Sequence, residues 1–294
     1  MKYLSIFITV IILVSCGQAQ KNNQTQENIE TKISVKLEML WETDTLLQTP
    51  ESVLVDEAGG MLYVSNMNNS APSNSGSGYI SKVDMGGKIV ELKWAEGLNG
   101  PKGMGLFNNN LFVADDDELV TIDIASGQIV NKIQIEGNPG LNDVTVGDDG
   151  SVYVAGFLSN VIYKVKDGVV ESVFTGTQEE NFNGLLWEND RILLTTSSGS
   201  EFKSIDWKTF EVTVLAEEIG HGDGIASIGN GDYITTDWFG RIFYIPSKGK
   251  KITLLDTREQ EINTADIAYN TAKQTLYVPT FYKNTIIAYK VISE

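Results

Sequence analysis

Residues 141–173 read LNDVTVGDDGSVYVAGFLSNVIYKVKDGVVESV. Four short runs stand out: Leu141-Asn142-Asp143-Val144-Thr145-Val146, Ser151-Val152-Tyr153-Val154-Ala155, Val161-Ile162-Tyr163-Lys164-Val165 and Val169-Val170-Glu171-Ser172-Val173. β-Branched and aromatic side chains suit a pleated, half-buried surface, while Asp148-Asp149-Gly150 and Asp167-Gly168 supply turn chemistry between the runs. The stretch therefore predicts four strands in one antiparallel sheet.

The first two runs recur five more times. Pro50-Glu51-Ser52-Val53 leads to Leu62-Tyr63-Val64, Pro101-Lys102-Gly103-Met104 to Leu111-Phe112-Val113, and Phe182-Asn183-Gly184-Leu185 to Ile192-Leu193-Leu194. Gly222-Asp223-Gly224-Ile225 leads to Tyr233-Ile234-Thr235, and Thr264-Ala265-Asp266-Ile267 to Leu276-Tyr277-Val278. Aligned on Glu51, Lys102, Asn142, Asn183, Asp223 and Ala265, the units are spaced by 51, 40, 41, 40 and 42 residues. Four strands in about 40 residues is the signature of a propeller blade, and no long segment has a helical period. The chain is expected to be all-β, a six-bladed β-propeller over residues 33–294. Its sixth unit runs out after a third strand at Thr285 to Val291, and residues 33–44 supply the missing fourth, so that the N-terminal strand closes the last blade. The long first spacing comes from a Ser-, Asn- and Gly-rich insert over residues 66–78, either functional or merely tolerated.

The N-terminus carries a different signal. Lys2 precedes an apolar run from Tyr3 to Val14, too short for the roughly 20 residues that span a bilayer, which fits a signal peptide over residues 1–15. Leu13-Val14-Ser15-Cys16-Gly17 resembles the bacterial lipobox, in which the Cys becomes lipidated. Cys16 is the only cysteine, so no disulfide or cysteine metal site is expected in the body. Residues 16–32, rich in Gln, Asn, Lys and Glu, read as a flexible tether. The expected location is the bacterial cell envelope, with the body facing the periplasm as a monomer held by lipid alone. The net charge of −17 argues against nucleic acid as a partner, because phosphates repel carboxylates.

In a propeller the innermost strands line the channel, so residues at one register converge at its mouth. That register holds Glu51, Lys102, Asn142, Asn183 and Asp223, with Asp143 and Asp266 one place further on. Carboxylates mixed with amide oxygens on a rigid frame suit a hard cation, although Asp and Asn also serve as ordinary turn residues before strands.

The motifs resemble those of the family of senescence marker protein (regucalcin), gluconolactonase and luciferin-regenerating enzyme. The resemblance covers residues 33–294 and implies one divalent cation, calcium or zinc, at the mouth. It assigns the metal to Glu51 in Pro-Glu-Ser-Val, Asn183 in Asn-Gly-Leu-Leu-Trp and Asp223 in Asp-Gly-Ile, and places Asn142 of Asn-Asp-Val near metal and substrate. Lys102 departs from the pattern, since a cation is not expected beside a metal, and is read as pointing at substrate. His221, the only histidine, lies two residues before Asp223. The chemistry implied is hydrolysis of a small lactone or related ester, with the cation polarising the carbonyl and Asp223, Asp143 or His221 as general base. The sequence has no His-Glu-x-x-His, phosphate-loop or Gly-x-Ser-x-Gly motif. A non-catalytic reading stands beside it: Leu62-Tyr63-Val64-Ser65-Asn66 also resembles NHL and Tyr-Val-Thr-Asn repeat propellers, many of which bind a ligand or protein partner.

Overall fold

The computed structural model describes residues 35–69, 75–176 and 179–293. The signal peptide, Cys16, the tether and part of the 66–78 insert lie outside the described residues. No helix among those described is long and apolar enough to cross a membrane.

The described chain is a ring of six four-stranded antiparallel sheets. Strand β1 (Val35–Glu42) precedes blade 1, built from β2 (Pro50–Asp56), β3 (Met61–Asn66), β4 (Gly78–Asp84) and β5 (Ile89–Leu98). Blade 2 holds β6 (Pro101–Phe107), β7 (Asn110–Asp115), β8 (Glu118–Asp123) and β9 (Ile129–Gln134). Blade 3 holds β10 (Leu141–Val146), β11 (Val152–Gly156), β12 (Val161–Lys166) and β13 (Val169–Thr175). Blade 4 holds β14 (Phe182–Glu188), β15 (Arg191–Thr196), β16 (Glu201–Asp206) and β17 (Val212–Glu217). Blade 5 holds β18 (Gly222–Gly229), β19 (Asp232–Asp237), β20 (Arg241–Ile245) and β21 (Ile252–Asp256). Blade 6 runs β22 (Ala268–Asn270), β23 (Thr275–Pro279) and β24 (Ile286–Ser293), and β1 is its outer strand.

The innermost strands touch in cyclic order, β2 to β6 to β10 to β14 to β18 to β22 and back to β2. Closure is by hydrogen bonds between the two ends of the domain. β1 pairs with β24 from Val35 opposite Ser293 to Glu42 opposite Ile287, so the last strand runs two residues beyond the Val291 expected from sequence. Beyond the ladder, the Thr43 N–H donates to the Ile286 carbonyl (3.0 Å) and the Thr285 hydroxyl to Glu42 Oε1 (2.7 Å). A ring closed in this way leaves no open sheet edge between its ends.

The core is divided into slabs between blades. One cluster joins Ile234 and Tyr244 of blade 5 to Leu276 and Val278 of blade 6; another joins Ile162 of blade 3 to Leu185 and Ile192 of blade 4. Middle strands are buried on both faces, as in β15, where five of six residues are buried, which accounts for runs such as Ile192-Leu193-Leu194. Outer strands such as β9 and β17 contain no buried residue.

One innermost strand departs from the sequence reading. β22 is only three residues long: its ladder to β23 starts at Ala268, and upstream of it the Ala265 N–H donates to the Pro279 carbonyl (3.2 Å) while Asp266 turns to blade 1. The Asp266 N–H donates to the Glu51 carbonyl (3.0 Å), and Ser52 and Asp266 form a parallel bridge between blades 1 and 6.

Candidate functional site

The five longer innermost strands share a defect at the same place. Their pairing with the second strand shifts register between Pro50 and Ser52, Pro101 and Met104, Leu141 and Val144, Phe182 and Leu185, and Gly222 and Ile225. The residues inside these bulges are the register that sequence reasoning singled out: Glu51, Lys102, Asn142, Asn183 and Asp223. A bulge releases a residue from the ladder and re-aims its side chain.

Second-strand hydroxyls take up the hydrogen bonds that the bulges leave. Thr195 accepts the Gly184 N–H (2.9 Å) and donates to the Asp223 carbonyl. Thr236 accepts the Gly224 N–H (2.8 Å) and donates to the Ala265 carbonyl (3.0 Å). Glycine is required here for close approach: a Cβ at Gly184 would overlap the Asp223 backbone, and one at Gly224 the backbone of Asp266 and Ile267. The Asn-Gly and Asp-Gly pairs thus join an inward-facing oxygen to a point of contact with the next blade.

Two carboxylates at the mouth are already engaged by the frame. Asp143 accepts the N–H of Val144 (2.6 Å) and, across the blade boundary, that of Leu185 (2.5 Å), one on each oxygen. Asp266 accepts the Ser52 hydroxyl (2.6 Å) across the boundary between blades 6 and 1. Both act as staples between neighbouring innermost strands, and neither this role nor Ser52 was readable from the repeat.

Three other oxygens have nothing to accept. Glu51 Oε2, Asn183 Oδ1 and Asp223 Oδ1 are buried without a hydrogen-bond partner. The remaining buried orphans among the described residues are two N–H donors, on Trp187 and Arg191, and the hydroxyl of Thr235. Every orphaned carboxylate or amide oxygen is therefore at the mouth, and a buried acceptor without a donor is costly.

The electrostatics point the same way. Burial drives the Glu51 carboxyl well above the ordinary range, the charges of Asp223 and Asp266 add to the rise, and Lys102 opposes it. Asp223 is raised by burial and then by Asp266, Asp143 and Asp237, with a hydrogen bond from Asn183 acting against the rise. Asp143 is raised by burial and by Asp266 despite its two N–H donors. Asp266 is pushed up to about 7, chiefly by burial. Four buried carboxyls within electrostatic reach of one another need protons or a cation. Among the described residues no group of three His, Cys, Asp or Glu side chains is spaced to hold a metal. A ligand set here depends on the neutral amide of Asn183 beside the two carboxylates. Three oxygen acceptors without a donor of their own fit a hard divalent ion, whose remaining positions water would fill.

The structure separates the other expected residues. Lys102 and Asn142 line one pocket of about 520 Å³ at the rim of blades 2 and 3. Lys102 lies 3.3 Å from the Gly100 carbonyl and 3.9 Å from Asp116. His221 lies across the axis at the rim of blades 5 and 6, exposed, with Nδ1 3.2 Å from Ser197 Oγ and its ring edge-on to Phe239. It lines a second pocket, of about 610 Å³, with Trp238, Phe239 and Tyr282. Those aromatics sit in the loops after β19 and β23, outside the repeated runs, so the repeat gave no signal for them. Below the mouth the channel holds a cavity of about 370 Å³, polar at Asp143 and Asp266 and otherwise walled mainly by side chains such as Val55, Leu106, Val146 and Trp187.

No family model matches the sequence, and no curated protein does. Solved structures do resemble it. A catalytically inactive virginiamycin B lyase from Staphylococcus aureus, solved with quinupristin, has a TM-score of 0.62 at 14% identity, over 89% of this chain and 100% of that one. A streptogramin B lyase gives 0.65 at 13%, over 88% and 98%. An auxiliary nutrient binding protein from Bacteroides ovatus gives 0.65 at 12%, over 89% and 76%. At such identities the likeness establishes the propeller fold alone.

Proposed function

We propose that the protein is a divalent-cation-dependent hydrolase of a small lactone or related ester, as its resemblance to the gluconolactonase family implies. The observation that carries this reading is the trio of orphaned buried oxygens on Glu51, Asn183 and Asp223. These three would hold calcium or zinc. When bound, such an ion polarises a carbonyl and acidifies water.

The chain's own residues would do the rest. Asp143 and Asp266 keep the innermost strands of neighbouring blades in place and so fix the spacing of the three oxygens. Lys102 and Asn142 offer an ammonium and an amide to polar groups of the substrate on one side of the mouth. A carboxylate of the cluster would take the proton as general base. His221, exposed at the rim, has the lesser part. Cys16, as a lipidated residue, would hold this chemistry at the surface of a bacterial membrane. Cys16→Ser should then release the protein from membranes or leave it as precursor.

The test is a panel of lactones and esters incubated with chelated and with calcium- or zinc-loaded protein in ¹⁸O-labelled water. Metal-dependent ring opening with ¹⁸O in the new carboxylate supports hydrolysis. Cleavage without ¹⁸O points to elimination, the chemistry of the lyases that share the fold. A second reading, a ligand-binding propeller, is favoured by the engagement of both Asp143 oxygens with backbone N–H groups, which leaves that carboxylate no free edge. Cation binding with no turnover across the panel would select it.

A further inference from the structure

We infer that the pocket between blades 5 and 6 is a binding site for a small aromatic carboxylate, its ring held by Trp238, Phe239 and Tyr282 and its charge by Lys283. That the site forms part of the substrate pocket rests on the proposed function; the binding itself does not require the cation.

The pocket shares the mouth's face of the ring. The His221 carbonyl, two residues before Asp223, accepts the Trp238 N–H (2.9 Å), and the Asn263 side chain donates to the Trp238 carbonyl (2.9 Å), so one wall is fixed in advance. Phe239 is 48% and Tyr282 60% exposed, a large uncovered aromatic area beside a cavity of about 610 Å³. Their planes stand steeply against Trp238, at 73° and 79°, with centroids 5.2 and 6.0 Å away. A flat guest stacked on one ring therefore meets another edge-on, the two geometries that aromatic pairs prefer. The backbone supports this placement under strain: Phe281, buried beneath Tyr282, has φ 51°, a region that bulky residues seldom enter.

The charges narrow the guest. Arg241 is paired with Asp237, its Nε and Nη2 each 2.6 Å from Oδ2, and Arg258 is paired with Asp256 at 2.8 and 2.5 Å. Lys283 and Glu261 also line the pocket, and neither has a side-chain partner among the described residues. Lys283 follows Tyr282 directly and is the free cation at the edge of the aromatic wall. With both arginines paired, the charges left open on the lining are Lys283, beside Tyr282, and Glu261, on the segment before β22. An anionic group on the ring gains from Lys283, and Glu261 sets the opposing sign.

The test is the binding of indole-3-acetate to the full chain, by saturation-transfer NMR and calorimetry, with chelator and with calcium. Saturable binding is expected in both, tighter than that of tryptophol, which has the ring without the carboxylate. Tyr282→Ala should weaken it by about tenfold, in line with the loss of an aromatic contact. Lys283→Gln should erase the preference for the carboxylate, and Glu261→Gln should enlarge it. All three positions are exposed, so an unchanged melting temperature is expected and would show that the variants fold. Absence of saturable binding, or binding indifferent to both Tyr282→Ala and Lys283→Gln, would overturn the inference. Cation binding is read separately: a protein that takes indole-3-acetate but no cation keeps this site and loses the proposed hydrolase, and the reverse result does the opposite.

Discussion

Two kinds of carboxylate share the channel mouth. Asp143 and Asp266 accept hydrogen bonds from the neighbouring blade, through the Leu185 N–H and the Ser52 hydroxyl. Glu51 and Asp223, also buried, each leave an oxygen with no donor, as does Asn183. Residue type and burial do not separate the two sets; position does, because Asp143 and Asp266 stand one place beyond the register of Glu51, Asn183 and Asp223, and so do the hydrogen bonds already in use. An oxygen committed to a neighbouring strand holds the ring together, and an oxygen left without a donor stays open to a ligand.

The largest difference should appear in melting experiments with and without cation. A ligand that binds only the native state adds about 2.7 kcal/mol at a hundredfold excess over its Kd. Wild type should gain this order of stability with calcium or zinc, whereas Glu51→Gln, Asn183→Ala and Asp223→Asn should gain little. Equal shifts in all four proteins would place the ion elsewhere.

The staples should behave in the opposite way. Asp143→Ala leaves the buried Leu185 N–H without an acceptor, at a cost of about 1–3 kcal/mol. That loss should be seen in urea unfolding with chelator and with metal alike. A variant as stable as wild type under chelation would remove the distinction between the two sets.

The pH dependence sharpens the comparison further. Asp266 titrates near 7 in the folded chain against an ordinary value of 3.8, and Glu51, Asp143 and Asp223 are raised as well. A carboxyl raised on folding binds its proton more tightly in the native state. Its stabilising contribution is therefore lost as pH rises from about 4 through about 7. Metal-free protein should melt lower at pH 8 than at pH 5.5, and added cation should narrow the gap, because the ion replaces the protons. A chelated protein more stable at pH 8 would contradict the raised values.

The smallest effect belongs to His221. Exposed, with Nδ1 3.2 Å from Ser197 Oγ, it stands apart from the buried trio. His221→Ala should lower any hydrolytic rate by less than about tenfold, against the 10²–10⁴-fold typical of a positioned acid or base. Loss on the scale of Asp223→Asn would make the histidine the base.

Much of this was legible in the sequence because strands and turns are local. The spacing of Glu51, Asn183 and Asp223 placed them in one register, and the missing fourth strand of unit six required closure by β1. Other features depend on contacts between blades. That Asp143 is spent on Leu185, 42 residues away, follows from the approach of two innermost strands and not from Asn142-Asp143-Val144 itself. The shortening of β22 has the same origin, since Asp266 answers to Ser52 and Glu51 rather than to β23. Trp238, Phe239 and Tyr282 lie in loops that no repeat constrains, and only the ring brings them together.

The most direct measurement is a calorimetric titration of calcium and of zinc into chelator-treated full-length protein, with Glu51→Gln, Asn183→Ala, Asp223→Asn and Asp143→Ala beside it. One ion per chain is expected in wild type, with affinity lower by at least about a hundredfold in the two carboxylate variants of the trio, since even outer-shell changes commonly cost 10–100-fold, and a clear loss in Asn183→Ala. Asp143→Ala should retain the stoichiometry of one. No binding in wild type, or binding that survives all three changes to the trio, would contradict a cation site at the trio.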